Sequence, residues 1–173
     1  MRATARGFDA PTAEAATLRL RTKLTGFIRA IGIDVRDAAM DDACLLPGLD
    51  IRGGAIIVDP PRWLHPGDIL HEAGHLAVAA PEERAADRLS PSPGDEIAAL
   101  AWSYAAALHL RLAPTIVFHA AGYRGDGPWL AETFAAGHYI GAPLLDYYGM
   151  TVEPGRAKPG GPAAYPHMLR WLR

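Results

Sequence analysis

The chain is poor in cysteine: Cys44 is the only one among 173 residues. An internal disulfide framework is therefore excluded, and a reducing compartment is the matching environment. No histidine–cysteine arrangement surrounds Cys44, which reads as a small buried hydrophobe and not a nucleophile. Positive charge is also scarce. Seventeen Lys and Arg against nineteen Asp and Glu leave a net charge of −2 with histidine neutral. No basic field is available to hold a phosphate backbone, so nucleic acid is not expected as a direct partner. Long apolar runs are missing as well. The arginine-bearing N-terminus, MRATARGFDAPTAEAATLRLRT, has no continuous apolar core of the kind a signal peptide needs. The most apolar stretch, residues 97–110, is short of a membrane span and includes Ser103, Tyr104 and His109. The expectation is a soluble, cytoplasmic protein without a membrane partner, its oligomeric state left open.

What is present is an ordinary globular balance, 50% hydrophobic and 21% charged residues. The length suits one domain with a real core, spanning 1–173, with the core at about 12–150 and an irregular C-terminal tail over 151–173. Fifteen prolines and eighteen glycines predict many loops and short elements.

Pro11-Thr12 reads as a helix start with Thr12 as N-cap; Leu20, Leu24, Phe27, Ile28 and Ile31 follow at helical spacing, and Gly32 is the stop. GIDVRD is a short strand. LDIRGGAIIVDPP holds two apolar runs around Arg52-Gly53-Gly54, a hairpin signal, and Pro60-Pro61 ends the second. DILHEAGHLAV follows as a helix of about three turns, bounded by Asp68 as N-cap and by Pro81. PEERAADRL predicts a short polar helix and SPSPGD a turn. EIAALAWSYAAALHLRL predicts a long alanine-rich helix stopped by Pro114. GYRGDGPWLAETFAAGHYIGAPLLDYYGM suggests two short helices separated by glycine turns. In the tail, Met168, Leu169, Trp171 and Leu172 are candidates to dock on the body. The order implies an α+β fold, with a small mixed or antiparallel sheet beside helices.

The chemistry-bearing stretch is His71-Glu72-Ala73-Gly74-His75. Residues four apart on a helix lie one above the other, roughly 6 Å apart along the axis, so both imidazoles can face one ion. Glu72 projects about 100° around the helix. That puts its carboxylate beside the ion, where it can take the proton of a water attacking a polarised carbonyl. Ile69, Leu70, Leu76 and Val78 give this helix an apolar frame. Burying two histidines and a carboxylate without pairing them or binding a metal is expensive.

A catalytic zinc usually has three protein ligands and one open position. Val78 and Pro81 stand where an extended HExxHxxGxxH pattern would continue, so the third ligand comes from farther along. Glu96, 21 residues after His75 and early in the next long helix, is the leading candidate. Asp95 is the alternative ligand and otherwise an N-cap. Two imidazoles and a carboxylate suit Zn2+ best among abundant ions.

With these residues the chain resembles the zincin metallopeptidases whose third ligand is a glutamate on a following helix, most nearly the minimal ImmA/IrrE-like domains. The matching stretches are GGAIIVD, ILHEAGHLA and EIAALAW, with Glu96, Ala99 and Trp102 in corresponding places, and the likeness covers roughly residues 12–112. It implies a zincin-like fold: N-terminal helix, small sheet, HExxH helix and following long helix. It makes His71, His75 and Glu96 the zinc ligands and Glu72 the general base of a metallopeptidase acting on a peptide or protein substrate. It also makes AIIVD the edge on which an extended peptide is laid. The alternative is a regulatory or binding module on the same fold with little or no proteolytic activity; a hydrolase of a non-peptide amide would share the same ligands. Leu100 stands where such families often carry a polar residue, and the region after Pro114 has no counterpart in the resemblance.

The C-terminal third offers His119, Tyr123, Arg124, His138, Tyr139, Tyr147 and Tyr148 as candidates for an oxyanion stabiliser. His138 and Tyr139, set between Gly137 and Gly141, are singled out as substrate-binding residues, because glycine-flanked polar aromatics often border clefts. His65 is read as a loop residue and His109 as a satisfied histidine away from the metal. Trp63, Trp102, Trp129 and Trp171 are expected to pack.

Overall fold

A computed structural model describes residues 12–40 and 46–173, so Pro11 and Cys44 lie outside the described residues. Thr12 accepts a hydrogen bond from the Ala15 backbone N–H at 3.3 Å and so caps the first helix, α1 (Ala13–Ala30). Leu24 and Ile28, one turn apart, form its buried stripe.

Three short strands follow: β1 (Asp34–Asp37), β2 (Leu49–Arg52) and β3 (Ala55–Val58). Their order is β1-β3-β2, with β1 parallel and β2 antiparallel to β3, a mixed sheet. All four residues of β3 are buried. A strand with no polar position to offer water is stable only when covered on both faces and paired on both sides. AIIVD is therefore the centre of the sheet, not the edge expected for peptide binding; the edges are β1 and β2.

Helix α2 (Asp68–Val78) packs on β2, β3 and α1 and buries eight residues. Gly67, not Asp68, holds its N-cap position, and the Asp68 carboxylate reaches His119 instead. At the other end, Arg84 of the four-residue helix α3 (Pro81–Arg84) donates to the carbonyls of Leu76 and Ala79 at 2.8 and 3.2 Å. These are carbonyls that a helix leaves unpaired at its C-terminus.

Helix α4 (Pro93–His109) starts three residues before the expected point. Ser92 is its N-cap and Asp95 its third residue, in a reciprocal capping box: Ser92 Oγ accepts from the Asp95 N–H at 3.2 Å and Asp95 Oδ2 accepts from the Ser92 N–H at 2.9 Å. Asp95 is thus not the N-cap. The helix ends at His109, before Pro114, where Arg111 takes φ 54°.

The α2–α4 contact brings the two halves of the site together. A Cβ on Gly74 would lie 3.0 Å from the Ala99 carbonyl oxygen and 3.2 Å from the Ala99 Cβ. Glycine thus lets the two backbones approach more closely than a side chain ordinarily allows. The α4 alanines Ala98, Ala101, Ala105 and Ala106 are all buried in the core.

Helices α5 (Gly127–Ala135) and α6 (Ala142–Tyr147) close the body. The tail is irregular, yet docked. Trp102 Nε1 donates to the Trp171 carbonyl at 3.0 Å, Tyr165 Oη to the Ala101 carbonyl at 2.9 Å, and Thr151 pairs with Met168. Leu169 is about half exposed, and Trp129, expected to pack, is 57% exposed on α5. Among the described residues no helix is long and apolar enough to cross a membrane. The architecture is α+β, a three-stranded mixed sheet with six α-helices among the described residues.

Candidate metal centre

His71 and His75 project from successive turns of α2, and their Nε2 atoms lie 3.1 Å apart. Glu96, in the first turn of α4, places Oε2 at 3.6 Å from each of them. A point equidistant from three atoms so spaced lies about 2.0 Å from each, within the usual range of about 2.0–2.2 Å for zinc–nitrogen and zinc–oxygen bonds. His71, His75 and Glu96 can therefore hold a metal ion, and they are the one His/Cys/Asp/Glu group of this kind among the described residues.

The electrostatics favour a cation there. Burial first, and the neighbouring His71 second, lower the His75 pKa to about 4, so its imidazole is neutral with a lone pair to give. Burial dominates at Glu72 too and raises its pKa to about 7; His71 opposes the shift, while Glu96, Asp68 and Asp50 add to it. Glu96 is held below the ordinary carboxylate range, chiefly by His71, against its own partial burial. Convergent lone pairs and carboxylates in a partly dry site are mutually unfavourable until positive charge arrives.

The imidazole Nδ1 atoms of His71 and His75 are buried without a hydrogen-bond partner among the described residues. The outer contact that commonly orients a ligating histidine is thus not supplied by a described side chain, and Leu100 packs on the hydrophobic core.

Two cavities meet at the trio, and Glu72, His75 and Glu96 line both. One, of about 220 Å³, is bounded by the β2 residues Leu49, Asp50 and Ile51 and by Arg88. On this strand the Ile51 N–H is taken by Asp50 Oδ1 at 2.9 Å. The other, of about 540 Å³, is bounded by Leu64, His65, Asp68, His119, Tyr123 and Arg124. There His119 Nε2 and Asp68 Oδ1 are 2.7 Å apart, and His65 stacks on His119 with ring centroids 4.1 Å apart.

His138 and Tyr139 do not border either cavity. Their flanking glycines are helix punctuation: Gly137 follows α5, and Gly141 takes φ +87° as the N-cap of α6. A Cβ on Gly141 would also lie 2.2 Å from the Ile97 carbonyl oxygen. Tyr139 packs among Tyr104, Phe134 and Tyr165, and His138 is exposed. Tyr147 is 80% exposed. Tyr148 faces Asp95 and Arg173. His109 packs against Phe27 and Trp171, away from the trio.

The residues that do face the metal trio from the unmatched C-terminal region are His119, Tyr123 and Arg124. Tyr123 and Arg124 are consecutive non-glycine residues at φ 54° and 57°. The Tyr123 ring meets His71 edge-on at 5.4 Å, and its hydroxyl is buried without a partner among the described residues. Burial, followed by Asp68, Glu72 and Glu96, keeps that phenol protonated well above its ordinary pKa. Asp68, expected only as a helix cap, lines this cavity and pairs with His119.

No protein-family model, characterised protein or solved structure matches this chain.

Proposed function

We propose that this chain is a zinc-dependent metallopeptidase with a zincin-like site, hydrolysing peptide bonds with Glu72 as general base. The observation that carries the reading is the single point about 2.0 Å from His71 Nε2, His75 Nε2 and Glu96 Oε2, with the Glu72 carboxylate lining both cavities that meet there. Zn2+ is the ion best suited to two imidazoles and a carboxylate; when bound it would act as a Lewis acid that acidifies water and polarises a carbonyl.

His71, His75 and Glu96 would hold the ion, and the cavities they line would give a substrate access to it. Glu72 takes the proton of the attacking water as its oxygen bonds to the carbonyl carbon. It then delivers that proton to the amide nitrogen as the carbon–nitrogen bond breaks, giving a carboxylic acid and an amine, which exchange a proton to leave as carboxylate and ammonium. Burial raises the Glu72 pKa to about 7 in the metal-free chain; a bound cation would lower it again, leaving the carboxylate as the form that accepts the proton. The two cavities that share Glu72, His75 and Glu96 give an extended chain room beside the trio.

Elemental mass spectrometry of the purified protein, with His71→Ala and Glu96→Ala beside it, tests the metal. One zinc per chain, lost in both variants, is expected. Casein hydrolysis with Glu72→Gln as the control tests the chemistry, where removal of a general base lowers the rate by about 10²–10⁴-fold. A protein that takes up no added zinc refutes the proposal, as does a Glu72→Gln variant as active as wild type.

A further inference from the structure

We infer that Tyr123 is a catalytic residue, the hydrogen-bond donor that binds the carbonyl oxygen of the substrate and the negative charge that oxygen gains during attack. The inference rests on the hydrolytic reading of the trio and deepens it.

Four observations converge on this hydroxyl. It is buried and has no partner among the described residues, although a buried hydroxyl normally finds one. A donor left open at the wall of a cavity is what a ligand oxygen can complete. The backbone that presents it is strained, since Tyr123 and Arg124 both adopt the left-handed conformation at φ 54° and 57°, which side chains rarely take and which clusters at functional sites. The ring is held on two sides, edge-on to His71 at 5.4 Å and to Phe118 at 5.4 Å, so the hydroxyl has little freedom to turn away. Finally, it lines the same cavity of about 540 Å³ as His71, Glu72, His75 and Glu96.

The other donors of that cavity are less suited. His119 Nε2 is engaged by Asp68 at 2.7 Å, and His65 lies flat on the ring. The His119 Nδ1 is also buried without a partner among the described residues, but with the proton on Nε2 that nitrogen is the ring's acceptor and offers no N–H. Arg124 is exposed. A neutral phenol O–H fixed before the substrate arrives needs no reorganisation when charge develops, which is the condition for an effective oxyanion donor.

The test is Tyr123→Phe, which removes the hydroxyl and keeps the ring. The probe is acetohydroxamate, titrated calorimetrically into the zinc-loaded protein; its carbonyl oxygen stands in for the substrate oxygen. Expected are unchanged zinc content, an unchanged or higher melting temperature, and acetohydroxamate binding at least about tenfold weaker, the loss of one hydrogen bond in a partly dry site. Tyr139→Phe, the same change outside the cavity, leaves binding as in wild type. Equal affinity in wild type and Tyr123→Phe overturns the inference while leaving the metal centre standing. A lower melting temperature with unchanged affinity overturns it too, by marking the tyrosine as structural. A wild-type protein that takes up no zinc overturns both this inference and the hydrolytic reading beneath it.

Discussion

Removing the charge of Glu72 should stabilise the metal-free protein, and only above a definite pH. The carboxyl titrates near 4.5 when unfolded and near 7 in the folded chain, mainly because it is buried. Between those values the folded state holds a proton that the unfolded state has lost. The stability this proton contributes is complete below pH 4.5 and is lost as the pH rises through 7. A shift of this size is worth about 3 kcal/mol at 1.36 kcal/mol per unit. Glu72 borders both cavities and is only partly shielded from water, so screening reduces the figure to about 2–3 kcal/mol.

Urea denaturation in chelator, at intervals from pH 4.5 to 8, measures it. Glu72→Gln should match wild type at pH 4.5 and exceed it by about 2–3 kcal/mol at pH 8. His75 acts in the opposite sense: its pKa falls from 6.5 to about 4, so its contribution is lost as the pH drops through that interval. Because His75 is present in both proteins, it cancels from their difference. One equivalent of zinc should abolish the advantage of the variant, since a cation beside Glu72 favours its anion. A difference that stays flat from pH 4.5 to 8 would refute the claim that burial of this carboxylate strains the empty site.

Two substitutions examine how α2 and α4 hold the trio. Asp95→Ala should keep one zinc per chain, because Asp95 belongs to the capping box with Ser92, and should cost about 1 kcal/mol of stability in urea melts; loss of zinc would make Asp95 a ligand. Gly74→Ala inserts a methyl 3.0 Å from the Ala99 carbonyl oxygen, so it should destabilise the chain by about 1–3 kcal/mol. It should also weaken zinc binding in a competitive chelator titration, because it pushes the His71–His75 face away from Glu96; undiminished affinity would show that the helix spacing does not set the site.

How much of this could be read beforehand depends on whether a feature is local. The relative directions of the two histidines and Glu72 are legible because all three lie within one five-residue stretch of a single helix. The capping role of Asp95 is legible too: Ser92 followed three residues later by Asp95 is the pattern of a capping box, which engages that aspartate at the helix end. Other features were not local. AIIVD is a buried central strand because β1 returns to pair beside it in parallel, and neighbouring residues do not record which strands flank it. Gly137 and Gly141 drew attention to His138 and Tyr139 because a glycine ending a helix and a glycine bordering a cleft look alike in a sequence.

Tyr123 shows the limit most clearly. Nothing in GYRGDG announces that the tyrosine and arginine, and not only the glycines, adopt positive φ. Such a conformation is disfavoured by local sterics, so it persists only where surrounding packing enforces it. Here that packing comes from His71 on α2 and from Phe118, elements brought together only in the folded chain. The ligands of a metal can be written into one helix and the start of another. The groups that would receive the substrate depend on how the remainder of the chain docks around them. This is why the placing of His71, Glu72 and His75 could be derived from spacing, whereas the wall of the cavity facing them required the fold.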